Sequence, residues 1–306
     1  MKRDFTRLLD ITPGECSSLL DRARFMKQLR GSRGTHAPLL GRTLAMIFEK
    51  ASTRTRISFE VGMSELGGQA IFLSQTDTQM GRGEPVRDTA RVLSRYVHAV
   101  MIRTFRQDTV EELAAWSTVP VINGLSDLYH PCQILADLFT VMERKGRLED
   151  VRIAWVGDGN NVANSWIEAS LLLGFPLAVA SPPAYGPREA LVRQAEEKGT
   201  LTLHSDPFEA VKDADVVNTD VWTSMGMEAE KEERKRAFSS FRIDGELMKA
   251  AKPDAIVMHC LPAHRGEEIT EEVFEQFREV IFTQAENRLH AQKALLEWLM
   301  TEDIHE

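Results

Sequence analysis

The chain has 306 residues, carries 37 basic and 46 acidic side chains for a formal net charge of −9, and is 43% hydrophobic. This acidic balance excludes a protein whose main work is to coat nucleic acid or an anionic membrane, because binding by counterion release needs a basic surface. A chain of this length supplies about two domains and buries roughly 75% of the surface its unfolded form exposes, so it needs no disulfide or metal staple.

Three cysteines, Cys16, Cys132 and Cys260, form no close pair and read as reduced thiols. Residues 1–10 are charged throughout and lack the apolar core of a secretory signal. The longest apolar run, 169–180, is broken by Ser170, Gly174 and Pro176 and falls short of the roughly 20 residues that span a bilayer. A cytoplasmic location with no membrane partner is the expectation.

In chain order, Thr12, Pro13 and Glu15 make a helix start with an N-cap, a first-turn proline and a carboxylate at the third position. Leu19, Leu20, Ala23 and Met26 then recur at helical spacing. Apolar runs predict strands at 44–48, 70–73, 99–102 and 119–122, with helices at 56–66, 84–97 and 109–117 between them. The helical stretch 131–145 stops at Gly146. Strands follow at 151–156, 177–180, 201–204, 215–218 and 256–259, and an amphipathic stretch at 285–300 closes the chain. The fold class expected is α/β, with two doubly wound parallel-sheet domains joined by helices and an active site in the interdomain cleft, at the carboxyl ends of the strands. The expected division is 1–143 and 144–285, with a helix of about 286–306 packing back onto the first domain.

The first strand runs into Ser52, Thr53, Arg54, Thr55 and Arg56 just before a helical pattern. Unpaired N–H groups at a helix start, three hydroxyls and a guanidinium fork make a cradle for phosphate oxygens. A single cap serine or surface arginine would mean little, but five such residues without an acidic partner favour the anion site. His130, alone, reads as a structural histidine. Before Pro131, with Gln133 just inside a helix, it is placed to aim a donor at a ligand. Cys260, after a strand, reads on its own as a small buried hydrophobe.

Taken together, Ser52 to Arg56, His130-Pro131-Cys132-Gln133, Asp220 with Ser224-Met225-Gly226, His259-Cys260-Leu261-Pro262 and Ala285-Glu286-Asn287-Arg288 resemble the ornithine carbamoyltransferase family, in the family's order and across nearly the whole chain. The first motif is shared with aspartate carbamoyltransferases. Those typically carry His-Pro-Leu-Pro in place of His259 to Pro262 and lack the Ser-Met-Gly loop, which putrescine carbamoyltransferases lack too.

The resemblance implies transfer of a carbamoyl group from carbamoyl phosphate to the δ-amino group of L-ornithine, giving L-citrulline and phosphate without metal or organic cofactor. It makes 1–143 the carbamoyl phosphate domain and 144–285 the ornithine domain. It assigns Ser52, Thr53, Arg54, Thr55, Gln79, Arg103, His130, Gln133, Cys260, Leu261 and Arg288 to carbamoyl phosphate. Asn161, Asp220, Ser224 and Met225 go to ornithine. Arg103, His130 and Cys260 are the catalytic candidates; Cys260 with Asp220 would orient the δ-amino group and favour its neutral form. Gln79 resembles a residue that reaches the neighbouring subunit's carbamoyl phosphate, which implies a homotrimer, or a multiple of trimers, with shared sites. The charged run 231–236 reads as a solvated helix face, and its place just after the Ser-Met-Gly loop suggests a flap over ornithine.

Two other chemistries fit poorly. Gly157-Asp158-Gly159 follows a strand, but Val162 replaces the third glycine of a dinucleotide turn, and no acid follows at ribose-binding distance, where the chain reads Val179, Ala180, Ser181, Pro182. His130, Cys132, His259, Cys260 and His264 are metal-capable, yet no short C-x-x-C or H-x-x-x-H pair occurs, and strand alternation would send His259 and Cys260 to opposite faces.

Overall fold

The computed structural model describes residues 2–74, 78–223 and 230–301. The chain folds as two compact units, Met1–Phe139 with Glu286–Glu306, and Thr140–Ala285. Among the described residues no helix is long and apolar enough to cross a membrane.

The first unit is built on four strands, β1 (Thr43–Phe48), β2 (Gln69–Ser74), β3 (Ala99–Arg103) and β4 (Val121–Leu125), all parallel in the order β2-β1-β3-β4. Buried β1 and β3 read as continuous apolar runs because helices cover both faces, whereas edge strand β2 is only half buried. Ala45, Ile47, Val100 and Ile102 meet Val110 and Leu113 in the core of one face. The fourth strand begins two residues later than its apolar run suggests and continues through Asn123 and Gly124. Strand β3 makes the difference: Ile102 pairs with Asn123 and Arg103 with Leu125, which carries the strand past the apolar stretch, while on the other side Phe5 N–H donates to the Val121 carbonyl at 2.8 Å and its carbonyl accepts from Asn123 N–H at 2.8 Å. A register shift between Ile102 and Arg103 opposite Asn123 to Leu125 breaks the regular pairing at the end of β3, a device that re-aims a side chain.

The second unit holds five parallel strands, β5 (Ile153–Val156), β6 (Leu177–Ala180), β7 (Leu201–His204), β8 (Val216–Thr219) and β9 (Ile256–His259), in the order β7-β6-β5-β8-β9. Ala154, Val156, Val217 and Val257 pack with Trp222, Phe238, Phe241 and Phe274. The turn after β5 explains the two glycines that imitate a dinucleotide motif. Gly157 has φ +136°, and a Cβ on Gly159 would sit 2.1 Å from the Gly186 backbone.

Each sheet reverses its winding once. In the first unit the chain leaves β1 for β2 on one side and returns to β3 on the other; in the second, β5 leads to β6 and β7 before β8 and β9 form on the opposite side. Such switch points open a crevice at the carboxyl ends of the flanking strands. Ser52 and Arg103 end β1 and β3 or follow directly, and Asn160 and Asp220 follow β5 and β8.

Candidate active site

In the first unit the helix Thr53–Glu65 starts immediately after β1, and Ser52 caps it by accepting the Thr55 N–H at 3.2 Å. No acidic residue occupies its first turn, so the positive end of the helix faces the strand ends without a local counter-charge on that element. Thr53 is exposed, Ser52 and Arg54 are half-buried, and Thr55 is buried. The Thr55 hydroxyl accepts from Arg103 Nη1 at 3.4 Å and from Arg288 Nη2 at 3.3 Å, tying the end of β3 and the helix Arg278–Met300 to the cradle.

Arg288 is buried and held on three sides. Its Nη1 donates to Gln133 Oε1 at 2.7 Å and its Nε to Gln292 Oε1 at 3.0 Å, while the Ser58 hydroxyl also donates to Gln292 Oε1 at 3.0 Å. Gln133 is itself oriented, since its amide nitrogen donates to the buried carboxylate of Asp137 at 2.7 Å. These bonds to amide and hydroxyl oxygens fix the guanidinium's direction without neutralising it. His130 is buried, and its imidazole is held well below its ordinary pKa, first by burial and then by the charges of Arg288, Arg103 and Arg54. The ring therefore stays neutral at physiological pH beside three guanidiniums, able to donate one hydrogen bond without adding a fourth charge. Lys50 adds to the same positive field; burial and Arg103 lower its pKa, with Asp127 and Glu49 opposing.

Six of the residues assigned by resemblance, Arg54, Thr55, Arg103, His130, Gln133 and Arg288, thus come together. Gln79 is exposed, at the head of a single 3-10 turn that its carbonyl closes by accepting the Arg82 N–H at 2.9 Å.

In the second unit Asp220 lies just beyond β8, buried, and among the described residues accepts three hydrogen bonds: from the Cys260 thiol at 3.0 Å and the Val221 N–H at 2.8 Å on Oδ1, and from Asn160 Nδ2 at 2.8 Å on Oδ2. Asn161, half-buried, is the first residue of the helix Asn161–Leu173. Leu261 follows Cys260 with φ +59°, a conformation rare for a branched side chain, and its N–H donates to His259 Nδ1 at 2.8 Å. Ser224 and Met225 lie outside the described residues, as does most of the segment before the proposed flap. Directly after it, the helix Lys231–Phe238 is anchored by Arg234, which is buried, bridges Asp158 at 2.6 Å, donates to the Trp222 carbonyl at 2.5 Å and lies over the Tyr185 ring at 4.6 Å. Burial pushes the Asp158 carboxyl up from 3.8 to about 6; Asp220 and Glu230 add to the rise and Arg234 opposes it.

Strand alternation does not keep His259 and Cys260 apart. Strand β9 ends at His259, so Cys260 is free of the pleat, and the ligand atoms of Asp220, His259 and Cys260 lie within 4.8 Å of one another. The chemistry of His259 decides the matter instead. Its Nδ1 accepts the Leu261 N–H and its Nε2 meets the Glu268 carboxylate at 3.1 Å, so coordination would cost one of two buried bonds.

Several residues that shape the site escape sequence reading. Asp137 and Gln292 each stand four positions after a predicted ligand on the same helix, a spacing that puts them on one face. Asn160 is overshadowed by Asn161, and Arg234 reads as part of a solvated charge run.

Residues 3–143 match the carbamoyl-P binding domain of the aspartate/ornithine carbamoyltransferase family, and residues 149–299 its Asp/Orn binding domain. The chain is 57% identical to an ornithine carbamoyltransferase of Methanoculleus marisnigri over 97% of this chain and 96% of the relative. It is 55% identical to one from Archaeoglobus fulgidus over 94% of each. Among solved structures, the ornithine carbamoyltransferase of Pyrococcus furiosus superposes with a TM-score of 0.93 at 52% identity, covering 97% of both chains. A mitochondrial ornithine carbamoyltransferase from Coccidioides immitis gives 0.87 at 36% identity over 98% of both.

Proposed function

The chain belongs to the aspartate/ornithine carbamoyltransferase family, and on that premise we propose that it transfers the carbamoyl group of carbamoyl phosphate to the δ-amino group of L-ornithine, giving L-citrulline and phosphate. The observation that carries ornithine over aspartate is the triply bonded, buried carboxylate of Asp220. A second substrate bearing amines finds an acceptor there, whereas aspartate would bring two further carboxylates against it.

In this reading Ser52, Thr53, Arg54 and Thr55 grip the phosphate, which must leave as an anion. Arg103, His130, Thr55 and Arg288 gather at the carbonyl oxygen, where negative charge develops in the tetrahedral intermediate. Gln133 receives the carbamoyl nitrogen. Asn161, Asp220, Ser224 and Met225 hold ornithine, with Cys260 and Leu261 beside both reactants. The neutral δ-amine attacks the carbonyl carbon, the carbon–oxygen bond to phosphate breaks, and the proton given up by the amine nitrogen leaves with the phosphate. Positioning and electrostatics supply the rate, and the route uses neither metal nor organic cofactor.

Residues 1–143 with the last helix serve as the carbamoyl phosphate domain and 144–285 as the ornithine domain. The working enzyme is a cytoplasmic homotrimer in which Gln79 completes a neighbour's site, and it acts in arginine biosynthesis. The test is product formation from carbamoyl phosphate with L-ornithine, L-aspartate or putrescine in separate reactions. Citrulline from ornithine alone supports both halves of the site. Product from another amine keeps the phosphate half and overturns the roles of Asn161, Asp220 and Ser224.

A further inference from the structure

The polar side chain that follows Gly159 serves two masters. Asn160 caps the helix Asn161–Leu173: its Oδ1 accepts the Val162 N–H at 2.9 Å and the Ala163 N–H at 3.2 Å. Its Nδ2 donates to Asp220 Oδ2 at 2.8 Å. The helix N–H groups can only donate, so the oxygen of the amide must face the helix and the NH2 must face the carboxylate. The amide is held from both ends, and the chemistry of its partners determines its orientation.

Capping alone does not account for asparagine. Aspartate and serine cap helices as well as asparagine does, and aspartate would also complement the positive helix end. Only the second bond separates the three residues: serine is too short to span both partners, and aspartate offers an acceptor where Asp220 needs a donor. Among the described residues, the Val221 N–H and the Cys260 thiol hold Asp220 Oδ1 and Asn160 holds Oδ2. The same side chain begins the helix whose first residue is Asn161.

We infer that Asn160 is a positioning residue for the second substrate: it fixes the carboxylate of Asp220 and the helix end bearing Asn161 in one register, so that an amino-acid amine meets both at once. This rests on the reading of the second unit as the ornithine-binding half. Asn160 does not touch the reacting atoms, and its contribution belongs to the binding of ornithine, not to the grip on carbamoyl phosphate.

The experiment is a pair of cap-preserving variants, Asn160→Asp and Asn160→Ser, assayed beside the unaltered enzyme. Citrulline formation by the unaltered enzyme tests the parent reading separately; if it fails, the reading of the half-site falls whatever the variants do. Given that activity, Asn160→Asp sets two carboxylates face to face, and KM for ornithine should rise about tenfold to a hundredfold, the range of a lost bond to a charged group. Asn160→Ser should show a smaller rise. The carbamoyl phosphate dissociation constant, measured calorimetrically without ornithine, should stay within twofold in both, and the melting temperature within a few degrees because the cap survives. A KM for ornithine within twofold of the unaltered enzyme in Asn160→Asp overturns the inference. So does a parallel loss of thermal stability and of carbamoyl phosphate affinity, which would reduce Asn160 to a structural cap.

Discussion

The two half-sites are made by one device and charged in opposite senses. Each lies at the reversal point of a parallel sheet, and each combines the end of one strand with the capped start of a helix that follows its neighbour. In the first unit three arginines surround a histidine kept neutral; in the second, two buried carboxylates, Asp158 and Asp220, stand within reach of each other's field. The fold supplies position in both, and the residues at the strand ends choose the sign of the ligand. What holds the charged groups differs accordingly. Arg288 is oriented by amide oxygens that leave its charge intact, whereas Arg234 is spent on Asp158 and anchors a helix.

The largest effect should come from breaking the positive half. Arg54→Ala removes a guanidinium from the phosphate cradle and should lower kcat/KM for carbamoyl phosphate on the order of a thousandfold, the upper range for losing one preorganised donor. Arg152→Ala, just before β5 and so at the amino end of the strand, opposite the carboxyl ends that bear the site residues, should change it less than threefold. Comparable turnover in the two variants would sink the phosphate assignment. Asp220→Asn is the counterpart in the negative half. It should raise KM for ornithine roughly a hundredfold, with carbamoyl phosphate binding preserved; equal damage to both substrates' binding would show that the halves are not separable.

Acid titration sharpens the contrast because the two halves should respond with opposite sign. Burial raises Asp158 from 3.8 to about 6, so between those values the folded chain binds a proton that the unfolded chain has released. Its contribution to stability is therefore present at low pH and lost as pH rises through 6, a swing of about 3 kcal/mol at one pKa unit per 1.36 kcal/mol. His130 is depressed, so the unfolded chain takes up a proton near 6.5 that the folded chain refuses, and stability is lost as pH falls below that value. Denaturant unfolding from pH 4 to 8 should find Asp158→Asn gaining on the unaltered protein as pH rises, and His130→Asn gaining as it falls. Parallel slopes in the two variants would contradict the electrostatic reading of one half.

Much of this was legible in the sequence, for identifiable reasons. Strands β6 and β7 coincide with their predicted ranges because turn residues bound each on both sides, Pro176 and Ser181-Pro182 for β6, Gly199 and Ser205 to Pro207 for β7. The helix Pro131–Lys145 was legible from its proline start and glycine stop. The helix start at Ser52 to Thr55 could be read because its cap and hydroxyls are contiguous, whereas the pairing of Arg56 with Glu60 one turn on could not. The observed β4 differs from its apolar run because its end depends on pairing with Ile102 and Arg103 of β3, and a pairing between separate elements leaves no local apolar pattern. Asn160 and Arg234 were missed for a related reason. Each is defined by partners from separate elements, and a charged run containing a buried arginine looks the same as one that is wholly solvated.

The smallest expected effect separates two thiols that the sequence alone treats alike. Cys132 stands between His130 and Gln133 in the positive half, yet it is fully buried, donates to the Asn123 carbonyl at 3.4 Å, and burial pushes its pKa up to about 12; Cys16 is likewise buried and raised to about 12. A thiol is reactive only as the thiolate, so neither should label at pH 8 in the folded protein. Cys260 is only half-buried and lies against Asp220 in the negative half. A thiol-specific reagent should therefore modify one cysteine per chain, ornithine should slow the reaction, and Cys260→Ser should abolish it. Cys132→Ala should keep kcat within about twofold, losing on the order of 1 kcal/mol of stability for the methylene-sized void. Rapid labelling at Cys132 would mean that the arginine-lined half opens to solvent, and the picture of a histidine kept neutral by burial would fall with it.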